Sequence, residues 1–300
     1  MLELEKYKEI DFELRNKICV TKPYFALNNI KNIEDTIFRA TVTIENINSE
    51  EQTFISAAEA GRHLAILGLT ALASENQKLE KHYYLATQAL LIRGENSEKI
   101  FHFNDRERKL LILEAEVILL DLDKKIGKVK AKIFTEDDEL IFSINVTYKI
   151  MKEDLFQKIF QSNYIEINSP EGENPYTKNC KIDNVSYNNT ILQGDLGLVS
   201  ASQCLGHFQN YPALPVAILC SAMSDFAAMH LFRLIKSIEK YSVFRADMTA
   251  YRLAFAGEFI QLNSTFIGVD NLRYQFLIQA VDTKKSVISE MELFLDVDLV

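Results

Sequence analysis

The stretch GHFQNYPALPVAILCSAM, residues 206–223, places a histidine on a turn braced by Pro212 and Pro215, just ahead of an apolar run. Imidazole titrates near neutrality, so His207 in that setting reads as a base held within reach of a substrate. The plainer reading is a histidine that only finishes a turn. A second group lies in ISAAEAGRHLAILGLTALA, residues 55–73. Glu59 and His63 stand one helical turn apart and share a face. Ser56 precedes Glu59 at capping-box spacing, so Glu59 equally suits a cap and His63 an ion-pair partner. Ala57, Ala58, Ala60 and Gly61 around the carboxyl offer it little solvation. His82, His102 and His230 have no such neighbours and read as structural. Cys19, Cys180, Cys204 and Cys220 form no C-x-x-C pair and no cluster with histidine, so no metal site is expected.

These residues need a scaffold, and composition bounds it. The chain has 300 residues, 48% hydrophobic and 25% charged, which suits one large or two medium globular domains with a full core. A net charge of -9 argues against a nucleic-acid partner, which needs a basic face. The N-terminal MLELEKYKEIDFEL has no apolar signal core. The uncharged segment Leu196–Ser224 is interrupted by Gln203, His207, Gln209, Asn210 and two prolines, so no membrane span is expected there. With reduced cysteines, the expected compartment is the cytoplasm.

Periodicity orders the chain into two similar halves, residues 1–150 and 151–300. In the first, a helix over 55–73 is followed by long strands at 82–94, 109–124 and 127–150, the last folded by a hairpin turn at EDDE, 136–139. In the second, a helix over 215–236 is followed by strands at 241–255, 258–270 and 271–300. An amphipathic segment at 152–161 and a polar loop at 168–179 lie between. The second helix is greasy on nearly every side and must be buried. Helices that do not alternate with strands exclude a parallel sheet. The expected architecture is α+β, with two long curled antiparallel sheets each wrapping a central helix.

HFQNYPALPVAILCSAM resembles the His-Phe-Pro-x-x-Pro-x-x-Pro-Gly segment and following helix of the β-hydroxyacyl-(acyl-carrier-protein) dehydratases. That family has the hot-dog fold, and the whole chain resembles two hot dogs in tandem. The chain departs from the motif at Gln209, Asn210 and Val216. The family's helix carboxylate, followed four residues later by a polar partner, is matched by Glu59 with His63 in the first helix. In the second helix Ser221 takes the carboxylate's place, with Asp225 four residues on. The resemblance thus implies one site per chain: His207 from one half, Glu59 and His63 from the other.

It further implies elimination of water from a 3-hydroxyacyl thioester, with His207 as base, Glu59 as acid and His63 as support. The Val216 amide, at the first turn after Pro215, would receive charge on the thioester oxygen. Phe208, Tyr211, Pro215 and Val216 would border the substrate. No cofactor is implied beyond the phosphopantetheine arm carrying the acyl group, delivered by acyl carrier protein or coenzyme A. Two rival readings are a hot-dog thioesterase, in which a helix carboxylate activates water, and a non-catalytic dehydratase-like subunit. Arg233, Lys236 and Lys240 near the end of the second helix suit either an acidic carrier or the helix dipole. A homodimer of double hot dogs is compatible with the pattern.

Overall fold

The computed structural model describes residues 8–9, 17–46, 51–76, 81–95, 111–167, 173–188, 190–236, 238 and 240–297. His102, most of the N-terminal segment and part of the loop at 168–179 lie outside them. The first half runs β1 (Lys8–Glu9), β2 (Leu27–Glu34), β3 (Ile37–Thr43), α1 (Ala57–Glu75), β4 (His82–Arg93), β5 (Ile112–Leu122), β6 (Ile126–Phe134) and β7 (Leu140–Lys152). A short helix α2 (Glu153–Ile159) follows. The second half runs β8 (Asp183–Asn188), β9 (Ile191–Leu198), α3 (Val216–Leu234), β10 (Ser242–Ala250), β11 (Phe259–Asp270), β12 (Arg273–Val281) and β13 (Val287–Asp296).

Side-chain alternation builds the strands. In β6, Gly127, Val129, Ala131 and Ile133 face inward while Ile126, Lys128 and Lys130 face water, the period-two pattern of a half-buried strand. The hairpin expected at 136–139 forms, with Asp138 at φ 62 and Thr135 donating to the Glu139 carbonyl at 3.0 Å. The second half repeats it, with Lys285 at φ 64 and Asp282 donating to the Ser286 carbonyl at 3.0 Å.

One expectation is corrected. Among the described residues there are not two sheets but a single sheet of 13 strands, ordered β1-β2-β3-β5-β6-β7-β4-β10-β13-β12-β11-β9-β8. From β2 on, each half has the same strand order, mirrored about the β4–β10 pair. The strand that follows each helix would be a bare edge in a separate sheet, and bare edges seek partners. Here β4 and β10 pair antiparallel, from Gln88↔Thr249 to Ile92↔Arg245. Arg93 clamps the seam, donating to Ser242 Oγ and pairing with Asp296 at 2.7 Å.

Helix α1 packs on β3, β5, β6 and β7, helix α3 on β11, β12 and β13, and the two helices touch each other. Gly68 lets α1 approach the sheet: a Cβ there would lie 2.8 Å from both Tyr148 Oη and Val129. By length and composition α3 could cross a membrane. In this fold Ala222, Met223, Phe226, Ala227 and Leu231 of α3 are buried in the core.

Candidate active site

Glu59 occupies the first turn of α1. Ser56 caps that helix, accepting from the Glu59 amide at 3.3 Å. The Glu59 carboxylate turns to the segment after β3, where Oε1 accepts from the Glu45 amide at 2.5 Å and Oε2 from the Asn46 amide at 3.2 Å. His63 Nε2 lies 3.6 Å from Glu59 Oε1 and 3.2 Å from Arg62 Nη2. Arg62 is almost wholly buried, ion-pairs with Glu45 and lies over the Tyr176 ring at 4.5 Å. Burial, then the adjacent guanidinium, lowers the His63 pKa against the pull of Glu59. The ring is therefore neutral, and its Nε2 accepts from Arg62.

Ligand atoms of Glu45, Glu59 and His63 come within 4.8 Å of one another, close enough to hold a metal ion. They do not fit one well. The carboxylates already accept from Arg62, the Asn174 amide nitrogen and two backbone amides, and the imidazole lone pair faces the same guanidinium. Arg62 is the cation of this cluster.

Three cavities meet around the two helices. The largest, of about 720 Å³, lies between the helices and the central strands. Ala58, Gly61 and Arg62 of α1 line it, with Val216, Ala217, Cys220 and Ser224 of α3 and apolar residues of β4, β7, β10 and β13. A second, of about 370 Å³, holds Glu59 among Asn46, Ser56, Lys178 and Ser221, and shares Ala58, Arg62 and Ala217 with the first. The third, of about 450 Å³, holds His207 and Phe208 and shares Tyr24, Ala65, Ala86 and Val216 with the first. The start of α3 therefore sits where all three adjoin. Pro215 caps that helix without a side-chain hydrogen bond; the Ile218 amide donates to the Pro215 carbonyl at 3.0 Å, which leaves the Val216 and Ala217 amides without an intrahelical acceptor. Cys220 borders the large chamber, but burial pushes its thiol up to about 12, so it is no thiolate nucleophile.

His207 Nδ1 lies 2.9 Å from the Ala213 carbonyl, so Nδ1 carries the proton and Nε2 the lone pair. The ring stacks on Phe208 with centroids 3.8 Å apart and meets Tyr24 edge-on at 5.0 Å. Burial lowers its pKa to about 4, so the imidazole is neutral at physiological pH and a weak base. The turn is strained, with Gly206 at φ 80 and Phe208 at φ 53.

Gly206 is needed for a second reason. The Val20–His207 bridge, Thr21 donating to the Gly206 carbonyl at 2.8 Å and Phe208 donating to that of Cys19 at 3.2 Å bind this turn to residues 19–25. A Cβ at Gly206 would fall 2.4 Å from the Thr21 carbonyl oxygen and 2.7 Å from the Tyr24 nitrogen. Gly206→Ala is expected to cost about 2–3 kcal/mol, the αL penalty plus a backbone clash. Gly257→Ala, at φ 91 with nothing within 4 Å, should cost only about 1 kcal/mol. Urea denaturation of the two variants checks the difference.

The structure brings Glu59 and His63 together, and separately His207, Phe208 and Val216. It does not bring the two groups into one cavity. Contacts between them run from His207 through Tyr24, Tyr176 and Arg62 to His63. Tyr211 lines none of the three cavities and packs edge-on against Phe156 and Tyr164. Arg233, Lys236 and Lys240 are exposed at and beyond the end of α3. His230, expected to be structural, is buried with Nδ1 3.0 Å from Ser264 Oγ.

Sequence reasoning missed Arg62 and Tyr24, which border the large chamber. Arg62 had a signal: it is the one Lys or Arg in the apolar helix Ala57–Glu75. Tyr24, in TKPYFAL, had none.

No protein-family model matches the sequence, and no curated protein matches it. Solved structures do resemble it. The 12:0-ACP thioesterase from Umbellularia californica superposes with a TM-score of 0.56 at 10% identity, covering 87% of this chain and 94% of that one. An acyl-ACP thioesterase from Bacteroides thetaiotaomicron gives 0.53 at 9% identity, covering 87% and 98%. A hot-dog protein of unknown function from Alicyclobacillus acidocaldarius gives 0.51 at 9% identity, covering 93% and 99%. At such identities the likeness speaks for architecture alone, and on that ground the chain has the hot-dog fold.

Proposed function

We propose that this chain hydrolyses acyl thioesters, with the acyl group in the chamber between α1 and α3 and the thioester near Glu59. The observation that carries this reading is the placement of an apolar chamber of about 720 Å³ against the smaller polar cleft that holds Glu59. A chamber whose lining is apolar but for a few polar groups suits an acyl chain. The hydrolases among the structural neighbours favour hydrolysis over the dehydration implied by the His-Phe segment.

In this reading Glu59 takes a proton from water as the water oxygen adds to the carbonyl carbon. The Glu45 and Asn46 amides hold the carboxylate, while His63, neutral and one turn away, accepts from Arg62 and keeps that guanidinium beside the site. The free amides at the start of α3, Val216 first, receive the charge that develops on the carbonyl oxygen. Collapse expels the thiolate, which recovers the proton from Glu59. No cofactor takes part; coenzyme A or an acyl carrier protein supplies the phosphopantetheine thioester, in a cytoplasmic setting.

Dehydration keeps one supporting observation, the Nε2 lone pair of His207 in a cavity that Val216 also lines. One assay separates the two. Saturated and 3-hydroxyacyl-coenzyme A thioesters are offered to the parent, Glu59→Gln and His207→Ala, with thiol release and enoyl absorbance followed together. Thiol release without enoyl product is expected, reduced about 100-fold or more in Glu59→Gln. Enoyl product without thiol, abolished in His207→Ala, would establish the dehydratase instead.

A further inference from the structure

The buried tyrosines around these cavities differ in one respect. Tyr148 Oη donates to the Ala65 carbonyl at 2.7 Å, Tyr176 Oη donates to that of Leu205 at 3.0 Å, and Tyr84 Oη accepts from Asn76 at 3.4 Å. The Tyr24 ring is fixed between Tyr176, at 5.5 Å, and His207, at 5.0 Å, with the residue only 7% exposed. Its hydroxyl has no hydrogen-bond partner among the described residues, yet keeps accessible surface. Ring packing explains a phenylalanine here and leaves the oxygen unexplained.

Tyr24 lines the large chamber together with Arg62 and Cys220, and the His207 cavity together with Tyr148. The Arg62 side chain borders both the chamber and the Glu59 cleft, but its unpartnered Nε and Nη1 have almost no accessible surface, so it acts on the chamber as a buried positive charge rather than as a donor. A buried donor without an acceptor is costly, so an unpartnered, accessible phenol hydroxyl beside a buried cation marks a place suited to an oxygen. A carboxylate is the wrong oxygen: with Glu45 and Glu59 against one guanidinium, it would add like charge. A neutral carbonyl adds none. When water attacks it, the oxygen gains a negative charge as Glu59 gains a proton, so the total charge of the buried cluster stays constant.

We propose that the Tyr24 hydroxyl, backed by the Arg62 guanidinium, donates a hydrogen bond to the carbonyl oxygen of the acyl thioester and to the oxyanion formed from it. This rests on the hydrolase reading and adds a side-chain donor to the α3 amides. Burial pushes the phenol up to about 12, so it is protonated and able to donate throughout the neutral range. In the step, a water O–H proton passes to Glu59, the carbon–oxygen bond forms, and the carbonyl π pair moves onto the oxygen held by Tyr24. Return of that pair breaks the carbon–sulfur bond.

Tyr24→Phe keeps the ring and removes the donor. With dodecanoyl-coenzyme A its kcat is expected to fall about 100-fold with KM little changed. A second measurement does not depend on turnover. A ¹³C-labelled ketone analogue, with methylene in place of sulfur, should show a lowered carbonyl stretch in the parent and a higher one in Tyr24→Phe. An unchanged kcat, an unchanged carbonyl band, or no bound ketone in the parent overturns the proposal. If the parent releases no thiol from any acyl-coenzyme A, the hydrolase reading falls, and the infrared bands still decide whether Tyr24 holds the carbonyl.

Discussion

Arg62→Met should destabilise the fold by about 3–5 kcal/mol, and adding Glu45→Gln should restore a large part of that loss. The methionine keeps the apolar stem that crosses Tyr176 and removes only the charge and its donors. In the native state Arg62 is almost fully buried, its Nη2 donates to Glu45, and the same nitrogen lies beside His63. Removing one partner of a buried pair leaves the other desolvated without compensation, which costs more than the pair contributed. Glu45 is one-fifth exposed and keeps the Asn174 amide at 3.0 Å, so water meets part of the deficit and the lower end of the range is expected. Glu59, at 6% exposure, has only its two backbone donors to fall back on. Urea denaturation of the parent, both single variants and the double variant closes the cycle. Additive losses would mean that Arg62 and Glu45 are not coupled, and the cluster would then be four neighbours rather than one electrostatic unit.

That cluster also shows how far the sequence reaches. Long periodic elements were readable because local pattern decides them: the helix expected over 55–73 forms at 57–75, and the one over 215–236 at 216–234. The turn at 136–139 was readable because aspartate tolerates the left-handed conformation that Asp138 adopts. The β4–β10 pair was not readable, because each strand alternates in the same way whether its edge is bare or joined. Nor was the distance between Glu59 and His207. Tyr24 is set in place by Gly206 and the 204–208 turn, contacts between opposite halves of the chain that leave no mark on the local pattern around residue 24. Glu59 and His63 were legible as a pair because a helix fixes the separation of residues four apart, whereas nothing local announces that a guanidinium comes between them and the rest of the site.

Relative to the parent, Glu51→Gln should gain stability as the solution is raised from pH 5 to pH 8, because the parent's Glu51 carboxyl opposes folding increasingly over that window while the neutral buried histidines His63, His207 and His230 act equally in both proteins. Glu51 is 3% exposed, and both its carboxyl oxygens accept from the Ala57 amide at the start of α1, at 3.0 and 3.2 Å. Its backbone is bridged in parallel to Tyr241, and the next amide donates to the Tyr241 carbonyl at 2.7 Å, so the residue joins the two halves. Burial raises its pKa to about 8, aided by the charge of Asp225 and opposed by the Ala57 and Val243 amides and Arg93. The sign follows from proton counts. In the unfolded chain the carboxyl has lost its proton by pH 5–6, whereas the folded chain holds it to about 8. At this carboxyl the native state therefore binds more protons across that window, so its contribution favours unfolding as the pH rises. Integrated from pH 5 to 8, the difference is roughly 3–4 kcal/mol for this one group. Glutamine has the shape of the protonated acid and keeps an acceptor for Ala57, so Glu51→Gln should match the parent near pH 5 and exceed it at pH 8. Thermal unfolding of both proteins at half-unit pH intervals is the measurement. Parallel curves over that range would mean that Glu51 is ionised in the native state, with Arg93 and the helix amides outweighing its burial.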